Sequence, residues 1–277
     1  MNTINYFDRF KGFKTNEQSE DLIKGKISPG LVYLINNFEK LKNVLLKFDN
    51  EFYTIKNPYD FLDQKNIEIK YSISDIIFFI KQYQRDNENW QSSRIIGFYS
   101  SFLLSQLTVE NRKNGVQTNL IFDGKEGEDK GRYNYLFIGL RNIDNMIIKN
   151  VSGHYCGFGI GSYGGSCNSV LINNIDGDLC GGWIGSFNGK CKKVILRNIR
   201  GYSCGNNIVA YCGDCGDILF NNIDGDFCGA GIAFRSGRCN NVTFKNNKGS
   251  SYGLKIAAEN GHCKNVQYLN IEGVHTI

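Results

Sequence analysis

The side chains whose types and spacing could do acid–base chemistry recur at 24-residue intervals, His154, Asp178, Tyr202 and Asp226. Two carboxylates lying two strands apart in a stacked parallel sheet are roughly 9 to 10 Å from one another. That is near the upper limit for a pair that hydrolyses a glycosidic bond with inversion. Asp178 and Asp226, with Tyr202 between them, are therefore the candidate catalytic set. The plainer reading is turn chemistry, because each aspartate closes an Asp-Gly-Asp triplet (Asp176 to Asp178 and Asp224 to Asp226). Cys212 and Cys215, in a Cys-Gly-Asp-Cys run, have the spacing of zinc or iron–sulfur ligands, but one such pair falls short of a four-ligand site. No cofactor is expected. There is no GxxxxGK[ST] and no HExxH, and Gly157, Gly159 and Gly161 do not open a helix. Three histidines, His154, His262 and His275, leave few members for a histidine-based triad.

These columns exist because the sequence repeats. From Asn150 the chain aligns without a gap in copies that begin at Asn150, Asn174, Asn198, Asn222 and Asn246, with a partial sixth from Asn270. A fixed period of this length marks a solenoid, in which each repeat buries its apolar face only against its neighbours. Glycine follows three positions after each asparagine, and a second glycine column runs through Gly165, Gly189, Gly213, Gly237 and Gly261, so both read as corners that need positive φ. Between corners, short alternating segments such as Val194-Ile195-Leu196 read as strands. The inward columns are Ile160, Ile184, Ile208, Ile232 and Ile256, then Val170, Val194, Ile218, Val242 and Val266, then Val151, Ile175, Ile199, Ile223 and Ile271. The stacked asparagines and aliphatics resemble the right-handed parallel β-helix proteins of the pectate-lyase type. That resemblance covers the chain from about residue 120 and implies a fold; it carries no activity over. Polysaccharide enzymes on such scaffolds place acidic clusters on one outer sheet, which is what it implies for Asp178 and Asp226.

Three further columns invite a role. Asp176, Arg200, Asp224, Lys248 and Glu272 alternate in sign and read as electrostatic support for register. Tyr163, Phe187 and Tyr211, followed by Arg235 and Glu259, point outward if Ile160 and its equivalents point inward, and Trp183 joins the same face. This aromatic strip reads as ring packing, as a docking surface for a protein partner, or as a sugar-stacking platform. The cysteines form two ladders, one through Cys156, Cys180, Cys204 and Cys228, the other through Cys167, Cys191, Cys215, Cys239 and Cys263. They read as small buried hydrophobes, reduced and metal-free.

The class is α+β, with a small helical domain over 1–119 and a solenoid over 120–277. Only five of the 32 glycines precede residue 119, whereas both prolines and no cysteine do, so the two parts differ in kind. Apolar periodicity places helices from Ser28-Pro29, over Ile73 to Tyr83 and over Trp90 to Leu107, with a short strand at Asn66 to Tyr71 and a polar linker over Val109 to Asn119. The net charge of +5 is spread evenly, which speaks against a dedicated nucleic-acid binder. No apolar export segment follows Met1, and the longest apolar run, Ile76 to Ile80, is too short for a bilayer, so a cytoplasmic, non-membrane protein is expected. The expected function is a non-catalytic scaffold that presents its solenoid to a protein partner. A glycoside hydrolase or polysaccharide lyase is the second reading and a metal or cofactor scaffold the third. Self-association is expected through an open last coil, where Tyr268, Ile271, Val274 and Ile277 would be left uncovered.

Overall fold

The computed structural model describes residues 28–45, 61–65, 67–84 and 89–272. Helix α1 (Pro29–Leu45) starts where proline costs nothing, and the Ser28 hydroxyl accepts the Leu31 N–H at 2.9 Å. Helix α2 (Ile73–Tyr83) begins with a capping box between Ser72 and Asp75. Helix α3 (Trp90–Lys113) is capped by Asn89. Phe38, Phe79, Tyr83 and Tyr99 pack ring against ring where the three helices meet, so the aromatic richness of this part is core.

Two expectations fail here. Residues 67–72 form no strand; they are irregular chain, tied to α3 by the Tyr71 hydroxyl donating to the Leu103 carbonyl. Asn66 lies outside the described residues. Helix α3 also runs on through Val109 to Lys113, into the stretch read as linker. Its last turn is held by Arg112, which reaches Asp144 at 2.9 Å and the Ser166 hydroxyl at 2.8 Å across the first coils.

The solenoid follows at once. The short strands are β1 (Asn119–Asp123), β2 (Lys125–Glu126) and β3 (Asp129–Arg132). Six longer ones stack in sequence order: β4 (Asn142–Ser152), β5 (Ser166–Asp176), β6 (Lys190–Arg200), β7 (Asp214–Asp224), β8 (Arg238–Lys245) and β9 (His262–Leu269). Every pairing is parallel except the β2–β3 hairpin. Because β1 pairs with β4 and β4 with β5, residues 119–149 form an irregular first coil ahead of the repeats. The aliphatic columns are buried as read through the coil of β8, with Val170, Val194 and Val242 fully enclosed, whereas Ile256 and Ile271 are partly buried and Val266 is exposed.

The corners differ in cause from the sequence reading. Positive φ belongs to the asparagines: Asn150, Asn174, Asn198, Asn222, Asn246 and Asn270 lie between 51° and 57°. Asparagine tolerates that left-handed geometry, and its amide bonds from coil to coil, as in Asn174 to Asn150 at 2.7 Å. Of the ten described glycines in the two corner columns only Gly153 and Gly249 have positive φ; the others are there because coils touch. A Cβ at Gly177 would collide with the Gly153 carbonyl, and one at Gly213 with the Gly185 carbonyl.

The wall opposite the sheet is built of turns. In each of the five coils that begin at Asn150, Asn174, Asn198, Asn222 and Asn246, five alternate residues have left-handed φ, for example Tyr155, Gly157, Gly159, Gly161 and Tyr163. Their N–H groups alternate in direction. Tyr155 donates to Asp178 on the next coil and Gly157 to Leu136 on the previous one, so the wall is stitched both ways along the axis.

Candidate functional site

The aspartates sit where the strands give way to the turn wall, and each spends its carboxylate on the next coil. Asp178 accepts the Tyr202 N–H at 2.8 Å, while its own N–H goes to His154 Nδ1 at 3.1 Å. Asp226 accepts the N–H and the hydroxyl of Ser250 at 2.7 and 2.9 Å, and these bonds hold its carboxyl below the usual carboxylate range. Tyr202 stands exposed between them and leans on Phe227, ring centroids 5.4 Å apart. The column is thus a chain of axial caps, His154 to Asp178 to Tyr202 and Asp226 to Ser250. A carboxyl held in its ionised form by two donors is a poor proton donor for a leaving group. Two shallow depressions are described. One of about 370 Å³ lies between α3 and the first coil beside Asp63 and Arg141, and one of about 320 Å³ lies on the outer sheet beside Asp217 and Asn241; neither contains Asp178 or Asp226.

The Cys-Gly-Asp-Cys run divides across the wall, with Cys212 exposed and Cys215 buried. Among the described residues, no group of three or more His, Cys, Asp or Glu side chains is gathered as a metal site.

The aromatic column is present, and its rings lie flat on one another. Tyr163 and Phe187 stack at 4.6 Å, Phe187 and Tyr211 at 4.8 Å, and Trp183 covers Phe187 at 4.9 Å. Arg235 closes the stack over Tyr211 at 5.2 Å and bonds Glu259 at 2.8 Å. Rings stacked face to face along the axis show only their edges to solvent, whereas sugar stacking needs an open face. The strip continues through Phe158, Tyr155 and Tyr135 to Trp90 on α3, a continuation the sequence reading missed because those residues fall outside the column. All three rings of the column are half-buried.

The cysteines overturn an expectation. The first ladder holds free thiols, as read: Cys156, Cys180, Cys204 and Cys228 are fully buried, and Cys180, Cys204 and Cys228 each approach a glycine carbonyl one coil back. Burial pushes the Cys180 thiol up, away from reactivity. The second ladder is not reduced: Cys167 bonds Cys191 and Cys239 bonds Cys263, with Cα separations of 4.8 and 4.7 Å. The same spacing that makes cysteine a good core filler in a parallel stack places Cα atoms within disulfide reach.

The last described coil is open. Val266 is 38% exposed and Tyr268 40%, whereas Val242 and Phe244, their counterparts one coil back, are fully buried. Ile271 packs half-buried against this end; Val274, His275, Thr276 and Ile277 lie outside the described residues. No described helix is long and apolar enough to cross a membrane. No family, curated protein or solved structure matches this chain.

Proposed function

We propose that the protein is a non-catalytic scaffold whose solenoid associates through the exposed face of its last described coil, with a second copy of the chain as the partner. The observation that carries this is the exposure of Val266, Tyr268 and Leu269, at 38 to 44%, on a strand whose outer edge is paired by none of the described residues. An uncovered β-edge beside apolar surface is satisfied best by another strand, and the same columns of valine, aromatic and leucine offer themselves for a two-fold stack. The axial roles of Asp178 and Asp226 favour this reading over a carbohydrate-active enzyme. The stacked asparagines and aliphatics support kinship with right-handed β-helices of the pectate-lyase type. A cytoplasmic location belongs to the proposal as well, and the burial of Cys167 and Cys191 shields their disulfide from a reducing thiol pool.

Sedimentation over a hundredfold range of concentration tests the association. The wild-type chain should pass from monomer to dimer, and Val266→Lys or Ile271→Lys should remain monomeric at every concentration. A monomer throughout, unchanged by either substitution, overturns the reading.

A further inference from the structure

The second cysteine ladder has an odd number of members. Cys167, Cys191, Cys215, Cys239 and Cys263 are successive register partners in β5 to β9, and two disulfides leave the middle one free. Cys215 faces Cys191 on one side and Cys239 on the other in the same register that joins the bonded pairs. Cα atoms at this spacing, 4.8 and 4.7 Å in the two bonded pairs, lie in the range a disulfide spans. Displacement at a disulfide runs along the line of the bond that breaks. The register sets Cys215 next to the inner cysteine of each disulfide, with that cysteine's bonded partner one coil further along the same column on either side.

We propose that this column is a thiol–disulfide relay, in which Cys215 attacks Cys191 or Cys239 and the displaced thiol emerges at Cys167 or Cys263. In one direction the Cys215 thiolate forms a bond to Cys191, the Cys191–Cys167 bond breaks, and Cys167 leaves as a thiolate that takes up the proton Cys215 gave up. In the other, Cys215 bonds Cys239 and Cys263 is released. Two disulfides and one thiol are present before and after, so the step needs neither oxidant nor reductant. Its consequence is positional. Cys215 is 2% exposed, whereas Cys263 is half-exposed on the open coil, so the relay carries a thiol from the interior to the end face. Burial, with Asp214 and Asp217 alongside, pushes the Cys215 thiol up to about 12. The thiolate is then scarce near neutrality, and exchange should quicken about tenfold per pH unit until that value is approached.

The test uses the full chain carrying Cys212→Ser, which removes the exposed thiol as a competing nucleophile. The unreduced protein is held at pH 7, 8 and 9, quenched in acid, alkylated after unfolding and mapped by mass spectrometry. Cross-links between Cys191 and Cys215 and between Cys215 and Cys239 should accumulate about a hundredfold faster at pH 9 than at pH 7. Adding Cys215→Ser should abolish both and leave only the two original pairs. Asp217→Asn, which keeps an acceptor for Asn241 but removes a charge beside the thiol, should speed exchange severalfold at fixed pH. This arm stands even where Cys215→Ser does not fold. The proposal is overturned if the native chain yields only the original pairs while the urea-unfolded chain scrambles. It is equally overturned if scrambling persists without Cys215, or if all five ladder cysteines are recovered alkylated from unreduced protein.

Discussion

Asn222 has φ 57° and donates its amide to Asn198 at 2.8 Å, so one side chain supplies both a tolerated left-handed backbone and a hydrogen bond to the preceding coil. The two contributions separate by substitution. Asn222→Gly keeps the backbone and loses the amide, at a cost of about 0.5–1.5 kcal/mol. Asn222→Ala loses both and should cost about 1–2 kcal/mol more. Urea unfolding of the two variants measures the difference, and equal losses would remove the conformational explanation. Asp226 adds a pH signature. Its carboxyl is held below the ordinary value, so its stabilisation is complete above the unfolded value of about 3.9 and is lost as pH falls through the folded one. Asp226→Asn should therefore flatten the acid limb of a plot of denaturation midpoint against pH. At this scale the asparagine column was plain in the sequence while its cause was misassigned to the glycines. Positive φ and close approach both select for small or special residues, and only coordinates distinguish them.

Among the elements, α3 joins the helices to the solenoid, and Gly97 lies where it touches the first coil. A Cβ there would collide with the Tyr135 carbonyl and press on Ile138. Alanine is the better helix former by about 1 kcal/mol, yet Gly97→Ala should destabilise by about 1–3 kcal/mol because the helix must lift off the coil. Thermal denaturation checks the sign, and a gain in midpoint would mean a looser junction. The aromatic stack makes a similar claim on the turn wall. Phe187→Ala removes contacts to Tyr163, Tyr211 and Trp183 and should cost about 1–3 kcal/mol. A midpoint unchanged by Phe187→Ala would argue that the rings are held for a partner. The helices were legible through their caps and periodicity, as Ser72 and Asp75 show. The turn wall was not, since alternating left-handed φ leaves little trace beyond the glycines at 157, 159 and 161, and Trp183 or Val209 adopts the same geometry without any such sign.

For the whole molecule, the repeat announced itself because each coil binds only its neighbours, so every structural requirement is written once per 24 residues. Pairing within a column was harder to foresee, because one spacing serves a hydrophobic ladder and a disulfide ladder alike. The five-membered cysteine column has a further consequence, which is one of parity. A column with an odd count can never satisfy all its members in pairs, whereas an even count can. Excising residues 198–221 would remove one full coil, join Arg197 to Asn222 in register, and reduce the column to Cys167, Cys191, Cys239 and Cys263. It would also bring Asp176 beside Asp224, a like-charge contact the loss of Arg200 creates. The shortened chain should still fold, slightly weakened, yet show no disulfide migration at any pH, since its column is complete. Duplicating the same coil makes the count six and should give the same stillness, so mobility of the sulfurs would follow the number of coils and not their composition.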